Sequence, residues 1–150
     1  MKKIKSALIS VFNKDKIDEI CAYLSSNNVI IFSTGGTYNY ISNLGIPVKK
    51  IEDLTSFPSI LNGRVKTLHP KVFGGILRTN SESDIEDSKN YDIPNFDLVI
   101  VDLYPFEETL KTTKNHNDII EKIDIGGVSL IRAAAKNYEN VTCISSSSQY

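Results

Sequence analysis

Residues 7–33 read ALISVFNKDKIDEICAYLSSNNVIIFS, in which two short apolar runs enclose a longer stretch of mixed polarity. The runs 7–11 and 29–33 are nearly continuous in Val, Ile and Leu, as is typical of strands covered on both faces of a sheet. Between them, residues 15–26 place apolar side chains at spacings of three, four and seven, which form one face of a helix. Together the three segments predict a strand–helix–strand unit with parallel strands.

The same alternation continues along the rest of the chain. Residues 37–44 predict a second helix that ends at Gly45, with Pro47 just beyond it. The segments that follow are a strand at 48–51, an exposed helix or mobile excursion at 81–90, a strand at 97–102, helices at 115–123 and 128–137, and a strand at 141–145. We therefore predict an α/β fold: a doubly wound, mostly parallel five-stranded sheet flanked by helices.

Composition and charge exclude several classes of function. Lys and Arg number 17 against 18 Asp and Glu, so no global positive field exists to hold nucleic acid or an anionic membrane. No apolar run is long enough to span a membrane, and the first ten residues lack the apolar core and cleavage site of a signal peptide. We expect a cytoplasmic domain. Residues 145–150 close a domain poorly, so we expect residues 1–150 to be truncated at the C-terminal end.

The cysteines and histidines do not predict a metal site. Cys21 falls in a helical pattern and Cys143 in a strand pattern, and both read as small buried apolar residues. His69 and His116 lie far apart and lack the spacing of metal ligands.

The segment NGRVKTLHP, residues 62–70, carries the strongest chemical signal. Gly63 permits a tight turn and Pro70 keeps the preceding residue extended, so Arg64, Lys66 and Thr67 are expected to project from an ordered loop. Two cations and a hydroxyl suit a phosphate or a developing oxyanion. The alternative is a solvated basic loop.

Three further loops follow predicted strands, at the edge where open α/β sheets bind ligands. SVFNK (10–14) and STGGT (33–37) form a plausible phosphate cradle, although Gly35-Gly36 also suits a plain strand-to-helix turn. In DLYPF (102–106), the two aromatic residues either face the site or pack in the core. A fourth loop, DIGG (124–127), opens a helix, and Asp124 is either a functional carboxylate or a helix cap.

These motifs, together with RAAAKN at 132–137, resemble in order and along essentially the whole chain the amino-terminal IMP cyclohydrolase domain of the PurH family of bifunctional purine-biosynthesis proteins. The resemblance implies a methylglyoxal-synthase-like (MGS-like) fold. It also implies cyclisation of 5-formamidoimidazole-4-carboxamide ribonucleotide (FAICAR) to inosine monophosphate (IMP) with loss of water, with no cofactor or metal. The family's transformylase domain, which uses 10-formyltetrahydrofolate, has no counterpart in this sequence, and the full-length family proteins are homodimers.

The resemblance also implies roles for individual residues. The substrate-binding set is Ser10, Lys14, Ser33, Thr34, Gly35, Gly36, Arg64 and Thr67, joined by the backbone amides near Ile125 and Gly126, and the catalytic set is Lys66, Tyr104, Asp124 and Lys136. In this chemistry Lys66 and those amides would stabilise an oxyanion, Asp124 would accept the amide proton, and Lys66 or Tyr104 would help hydroxide leave. The chain departs from the family at Asp102, where Asn is common, and at Phe73, where His is common.

Two questions stay open from the residues themselves. A continuous helix would put the backbones of Asp124 and Lys136 ~18 Å apart. Lys136 would then reach the site through a non-helical break or its long side chain, act in a partner subunit's site, or only neutralise a helix end. The same fold also serves as a ligand-sensing regulatory module and as a phosphate-eliminating lyase of the methylglyoxal synthase type, so both remain alternatives to a cyclohydrolase.

Overall fold

The computed structural model describes residues 3–150 and contains a five-stranded sheet in which every pairing is parallel. The strands are β1 (Ser6–Ser10), β2 (Ile30–Ser33), β3 (Lys49–Lys50), β4 (Leu98–Val101) and β5 (Thr142–Ile144). Their order in the sheet is β3-β2-β1-β4-β5. The predicted fold class is confirmed, and each predicted strand matches an observed one to within two residues at either end. Met1 and Lys2, which open the basic N-terminal stretch, lie outside the described residues.

Eight α-helices connect and cover the strands in the described part of the chain. They are α1 (Ile17–Ser26), α2 (Gly35–Asn43), α3 (Ile51–Thr55), α4 (Pro70–Leu77), α5 (Glu82–Asn90), α6 (Phe106–Thr112), α7 (His116–Ile120) and α8 (Gly126–Lys136), with 3₁₀ turns at Leu61–Gly63 and Ser147–Gln149. Residues 81–90, predicted as a helix or a mobile excursion, form α5, whose first turn is capped by the Ser81 hydroxyl.

Three of these helices were not predicted from sequence. Pro70 was expected to end a loop, but it occupies the first turn of α4, where the missing N–H costs nothing. The His69 ring caps the same turn, because its Nδ1 accepts a hydrogen bond of 3.1 Å from the backbone N–H of Lys71. The helices α3 and α6 have only five and seven residues, too few for an apolar repeat to be recognised.

Each face of the sheet carries its own apolar layer, as a doubly wound fold requires. On one face Leu8 and Val99 pack with residues of α4 and α8. On the other, Ile9 and Ile100 pack with α1 and α2, and this layer includes the fully buried Cys21. Burial on both faces explains why the strands read as continuous apolar runs rather than alternating ones.

Ligands in such sheets bind where the strand order reverses, beyond the carboxyl ends of the strands. Here β1 is the central strand: the chain moves outward from it through β2 to β3, then returns to place β4 on its other side. The loops after β1, β2 and β4 therefore meet at one edge of the sheet. The fold thus brings three of the loops with chemical signals together.

Candidate active site at the carboxyl edge of the sheet

A cavity of about 770 Å³ opens at this edge, and we call it the main cavity. Its size is within the range of pockets that hold small organic ligands. The predicted site residues that line it are Ser10, Lys14, Thr34, Gly36, Arg64, Lys66, Thr67, Tyr104, Asp124, Ile125 and Gly126. Five separate parts of the chain contribute: the loops after β1, β2 and β4, the 62–68 segment, and residues 120–127.

The amino end of α2 forms one end of the main cavity. Thr34 stands at the cap position, but its hydroxyl donates to the Glu52 carboxylate over 2.6 Å, and no side chain caps the helix. Gly35 has φ +54°, and a Cβ built on it would lie 3.3 Å from the Lys66 Nζ. A positive helix end next to an ammonium is unfavourable unless an anion lies between them. The start of α2 and the Lys66 ammonium are therefore arranged as an anion site would be.

The ammonium of Lys66 differs from the other cations of the main cavity. Arg64 pairs with the carboxylate of Glu121, Lys14 donates to backbone carbonyls, and Lys122 lies over two aromatic rings. Within residues 3–150, Lys66 has neither a hydrogen bond nor a carboxylate or ring partner. Its side chain is held in the cavity wall between Gly35 and Gly63, since a Cβ on Gly63 would lie 3.5 Å from the same Nζ.

A second end of the main cavity, which we call the α8 end, is built around Asp124 and the start of α8. One carboxylate oxygen of Asp124 accepts a hydrogen bond of 2.6 Å from the Gly127 N–H, and the other accepts one of 3.4 Å from the Tyr104 N–H. Asp124 therefore caps the start of α8, which was one of its two predicted roles. It also lines the cavity, as a functional carboxylate would. The Thr67 hydroxyl closes this end, 3.2 Å from where a Cβ on Gly126 would lie.

Tyr104 is a neutral phenol at this end of the cavity. Burial raises its pKa, and the nearby carboxylates of Asp124 and Glu121 raise it further. The hydroxyl therefore keeps its proton throughout the neutral pH range. It can donate a proton or a hydrogen bond but cannot act as a base there.

The loop after β1 is fixed by charges of opposite sign. The Asp102 carboxylate accepts hydrogen bonds from the backbone N–H groups of Phe12 and Asn13, the latter at 2.9 Å. On the same loop the Lys14 ammonium donates to the carbonyl of Val11 and, over 2.9 Å, to that of Phe12. Partial burial lowers the pKa of Lys14, and the charge of Asp102 partly offsets the effect.

Three predicted site residues do not line the main cavity. Ser33 is fully buried, and its hydroxyl donates to the Ile9 carbonyl over 2.7 Å. Gly35 lies behind the Lys66 ammonium rather than on the cavity surface. Lys136 lines a separate groove between α4 and α8, together with Phe73 and Arg132, among others.

Several lining residues were absent from the predicted site. Phe12, Glu121 and Lys122 all border the main cavity, and Asp102 had been noted only as a departure from the family. Phe12 lies within the motif SVFNK, but the sequence assigns it no role, because a single aromatic residue in a loop does not indicate a particular chemistry. The partnership of Arg64 with Glu121 spans 57 positions, which no local pattern reveals.

Residues 3–150 contain no group of three or more His, Cys, Asp and Glu side chains that could hold a metal ion. In the same part of the chain, every helix is too short or too polar to cross a bilayer.

A parallel α/β sheet whose carboxyl edge gathers two helix amino ends and several cations defines a class of small domains whose cavity suits an anionic ligand. The chain belongs to the MGS-like domain family, whose model matches residues 16–129. It is 59% identical over 99% of its length to the bifunctional purine biosynthesis protein PurH of Bacteroides thetaiotaomicron, and 48% identical over its full length to that of Leptospira biflexa. These matches confirm the predicted resemblance.

A solved structure agrees with the fold. The crystal structure of ForH superimposes with a TM-score of 0.81 and 35% sequence identity, covering 96% of this chain and 74% of that one. The chain spans about 30% of the length of the curated PurH relatives that it matches.

Proposed function

We propose that this domain is an IMP cyclohydrolase that closes FAICAR to IMP with loss of water. The observation that carries the proposal is the main cavity. In it the Lys66 ammonium, which has no partner within residues 3–150, lies by the start of α2, while Tyr104 and Asp124 lie by the start of α8. A nucleotide monophosphate has the matching layout, with a charged phosphate at one end and the reacting groups at the other.

The phosphate and ribose bind at the α2 end. The backbone amides of the Gly35-Gly36 turn and the Lys14 ammonium supply charge-assisted hydrogen bonds, with Ser10 as a hydroxyl donor. Thr34 joins them as a donor once its hydroxyl turns from Glu52 to the phosphate. Ser33 acts indirectly, because it fixes the end of β2 through its bond to Ile9, and the lack of a side chain on Gly35 leaves room for Lys66. Arg64 and Thr67 extend the polar wall toward the ribose.

The reacting groups lie at the α8 end. Both belong to one molecule, so the domain gains most by holding the carboxamide nitrogen against the formyl carbon. As the N–C bond forms, the formyl oxygen becomes negative, and Lys66 and the amides near Ile125 and Gly126 stabilise that charge by on the order of 3 kcal/mol per good donor. The oxyanion role requires the Lys66 ammonium to reach from Gly35 toward this end, which its flexible stem permits.

Proton transfers complete the reaction. Asp124 accepts one proton from the attacking carboxamide nitrogen, and the oxyanion takes up a proton to become a hydroxyl. Tyr104 or Lys66 then donates a second proton to this hydroxyl as it leaves as water. The formamido nitrogen loses its own proton to the base so formed, and the ring gains its C=N bond. The raised pKa of Tyr104 supports the donor role, because the phenol is protonated at the pH of turnover. No electron or carried group moves in the step, so we assign no cofactor to it. We assign 10-formyltetrahydrofolate only to a separate transformylase domain of the full-length protein.

Lys136 lies too far along α8 to share a cavity with Asp124 of the same chain. We propose that in a homodimer of the full-length protein it serves the cavity of the second subunit. Mixing Lys66→Ala with Lys136→Ala protein tests this, after dissociation and reassembly. If Lys136 acts across the interface, each hybrid has one cavity with both defects and one intact cavity, and activity returns. If it acts within its own chain, no cavity is intact and the mixture stays inactive.

The direct test of the proposed function is conversion of FAICAR to IMP, followed by the ultraviolet absorbance of the product. Lys66→Met should lower kcat by about 10²–10³. The matched control is Lys111→Met, at the exposed end of α6 and outside the main cavity, which should leave kcat unchanged. Tight IMP binding without turnover would favour the regulatory module instead, and release of phosphate from a triose phosphate would favour the lyase.

A further inference from the structure

Asp102 ties together the two loops that meet where the strand order reverses. It follows β4, and its carboxylate accepts from the backbone N–H groups of Phe12 and Asn13, which follow β1 and lie 90 and 89 positions away. Two backbone donors on one carboxylate fix both the position and the direction of the loop. An exposed loop that would otherwise move freely is thereby anchored to the end of a buried strand.

The carbonyl groups of the same loop are held as well. Lys14 donates to the carbonyls of Val11 and Phe12, and the Thr37 hydroxyl donates to the Val11 carbonyl over 2.8 Å. Phe12 therefore has its N–H held by Asp102 and its carbonyl held by Lys14. The direction in which its side chain leaves the loop is set by these bonds, and not by burial, since 47% of the residue remains exposed.

The ring of Phe12 lies against the ring of Tyr104. Their centroids are 5.6 Å apart and their planes meet at 89°, an edge-to-face arrangement that aromatic pairs favour. The Lys122 ammonium lies 5.1 Å from the first centroid and 5.3 Å from the second, so one cation holds both rings. All three side chains line the main cavity.

We propose that Asp102 and Phe12 are positioning residues for Tyr104: Asp102 fixes the loop, and the Phe12 ring fixes the phenol that faces the reacting groups. The inference rests on the proposed cyclohydrolase function. Neither residue needs to touch the substrate. Their effect is on how often the Tyr104 hydroxyl lies where a proton must be delivered, which governs kcat more than KM.

The test is a double-mutant cycle on FAICAR cyclisation. Phe12→Leu keeps an apolar side chain and removes the ring, and we expect kcat to fall by about tenfold with KM changed by less than about twofold. Phe12→Tyr keeps the ring and should restore kcat. In the Tyr104→Phe background, Phe12→Leu should have almost no further effect, because the hydroxyl that it positions is gone. Asp102→Ala should behave in the same way.

Two outcomes would overturn the proposal. One is that the effects of Phe12→Leu and Tyr104→Phe multiply, so that the two residues act independently. The other is that Phe12→Leu raises KM and spares kcat, as loss of a direct substrate contact would.

Titration of the Tyr104 phenol separates this proposal from the function on which it rests. The tyrosinate absorbance of Tyr104 is the difference between each protein and its Tyr104→Phe counterpart. Phe12→Leu exposes the phenol to water, so its raised pKa should fall. If the wild type does not cyclise FAICAR yet this shift appears, the ring positioning stands and the enzymatic function fails. An unchanged titration overturns the positioning itself.

Discussion

Replacing Gly35 with Ala tests whether the start of α2 binds the charged end of the ligand. Gly35 has φ +54°, in the left-handed region, where an alanine costs about 1 kcal/mol. The new methyl would also lie 3.3 Å from the Lys66 Nζ. That neighbour is the flexible end of a side chain, so it moves aside by a few tenths of an ångström at little cost in stability.

The same movement of the Lys66 ammonium should weaken ligand binding. The methyl pushes the Lys66 ammonium away from the start of α2, where the phosphate would bind. Loss of one charge-assisted hydrogen bond costs about 1.5–3 kcal/mol, so the Kd for IMP should rise by about 10–150-fold. The free energy of unfolding should fall by only about 1 kcal/mol, which lowers Tm by about 2–4 °C.

Gly45→Ala is the matched control. Gly45 has φ +73°, so an alanine there carries the same kind of backbone strain, but a Cβ would have nothing within 4 Å. It lies just past the other end of α2, outside the main cavity. Both variants should lose similar stability in thermal unfolding, and only Gly35→Ala should weaken IMP binding in calorimetric titration. If the two bind IMP with Kd values within about twofold of each other, the start of α2 does not bind phosphate.

Three further predictions concern other parts of the molecule. Glu121 is the carboxylate partner of Arg64 in an exposed ion pair. Glu121→Gln frees the arginine for the ligand and should therefore tighten IMP binding by a few-fold, since an exposed pair of this kind contributes little, and weaker binding would contradict this. Folding raises the pKa of Cys21 from 9.0 to about 12, so the stability that this thiol contributes is complete below about pH 9 and should fall as pH rises from there to about 12. In Cys21→Ala the loss over this range should be smaller than in the wild type, as denaturant titrations at each pH would show; an equal loss would contradict the assignment to Cys21. A Cβ on Gly75 would lie 2.7 Å from the buried ring of Phe96, so Gly75→Ala should lower the free energy of unfolding by about 1–3 kcal/mol in urea titrations. An unchanged free energy of unfolding would mean that α4 and the Phe96 ring can move apart without cost.

The sequence predicts the sheet well because the information is local. Burial on both faces makes the inner strands β1, β2 and β4 apolar along most of their length, and residues 7–11, 29–33 and 97–102 show this without reference to any other part of the chain. The helix at 17–26 is equally clear, since its apolar stripe repeats through three turns. Short helices such as α3 lack a repeat and are therefore missed.

The site is predictable only in part, for the same reason. Loops rich in cations, hydroxyls and glycines can be recognised from sequence as candidate anion-binding loops, and most of the predicted residues do line one cavity. What a sequence cannot provide is the partner of each charge. Asp102 bonds to amides 90 and 89 positions away, and Glu121 pairs with an arginine 57 positions away. Such contacts depend on the strand order, in which β1 and β4 become neighbours.

The pairing of charges in the cavity explains why one lysine matters more than the others. Lys14 and Lys122 already have partners in the protein: two N–H groups of Lys14 donate to loop carbonyls, which leaves one for the proposed ligand, and Lys122 lies over two rings. Arg64 is held by an exposed carboxylate that it can leave at little cost. Lys66 is held between two glycines by shape alone, at a helix end whose field opposes it. An anion bound between the Lys66 ammonium and the start of α2 would remove that opposition, because it attracts both of them.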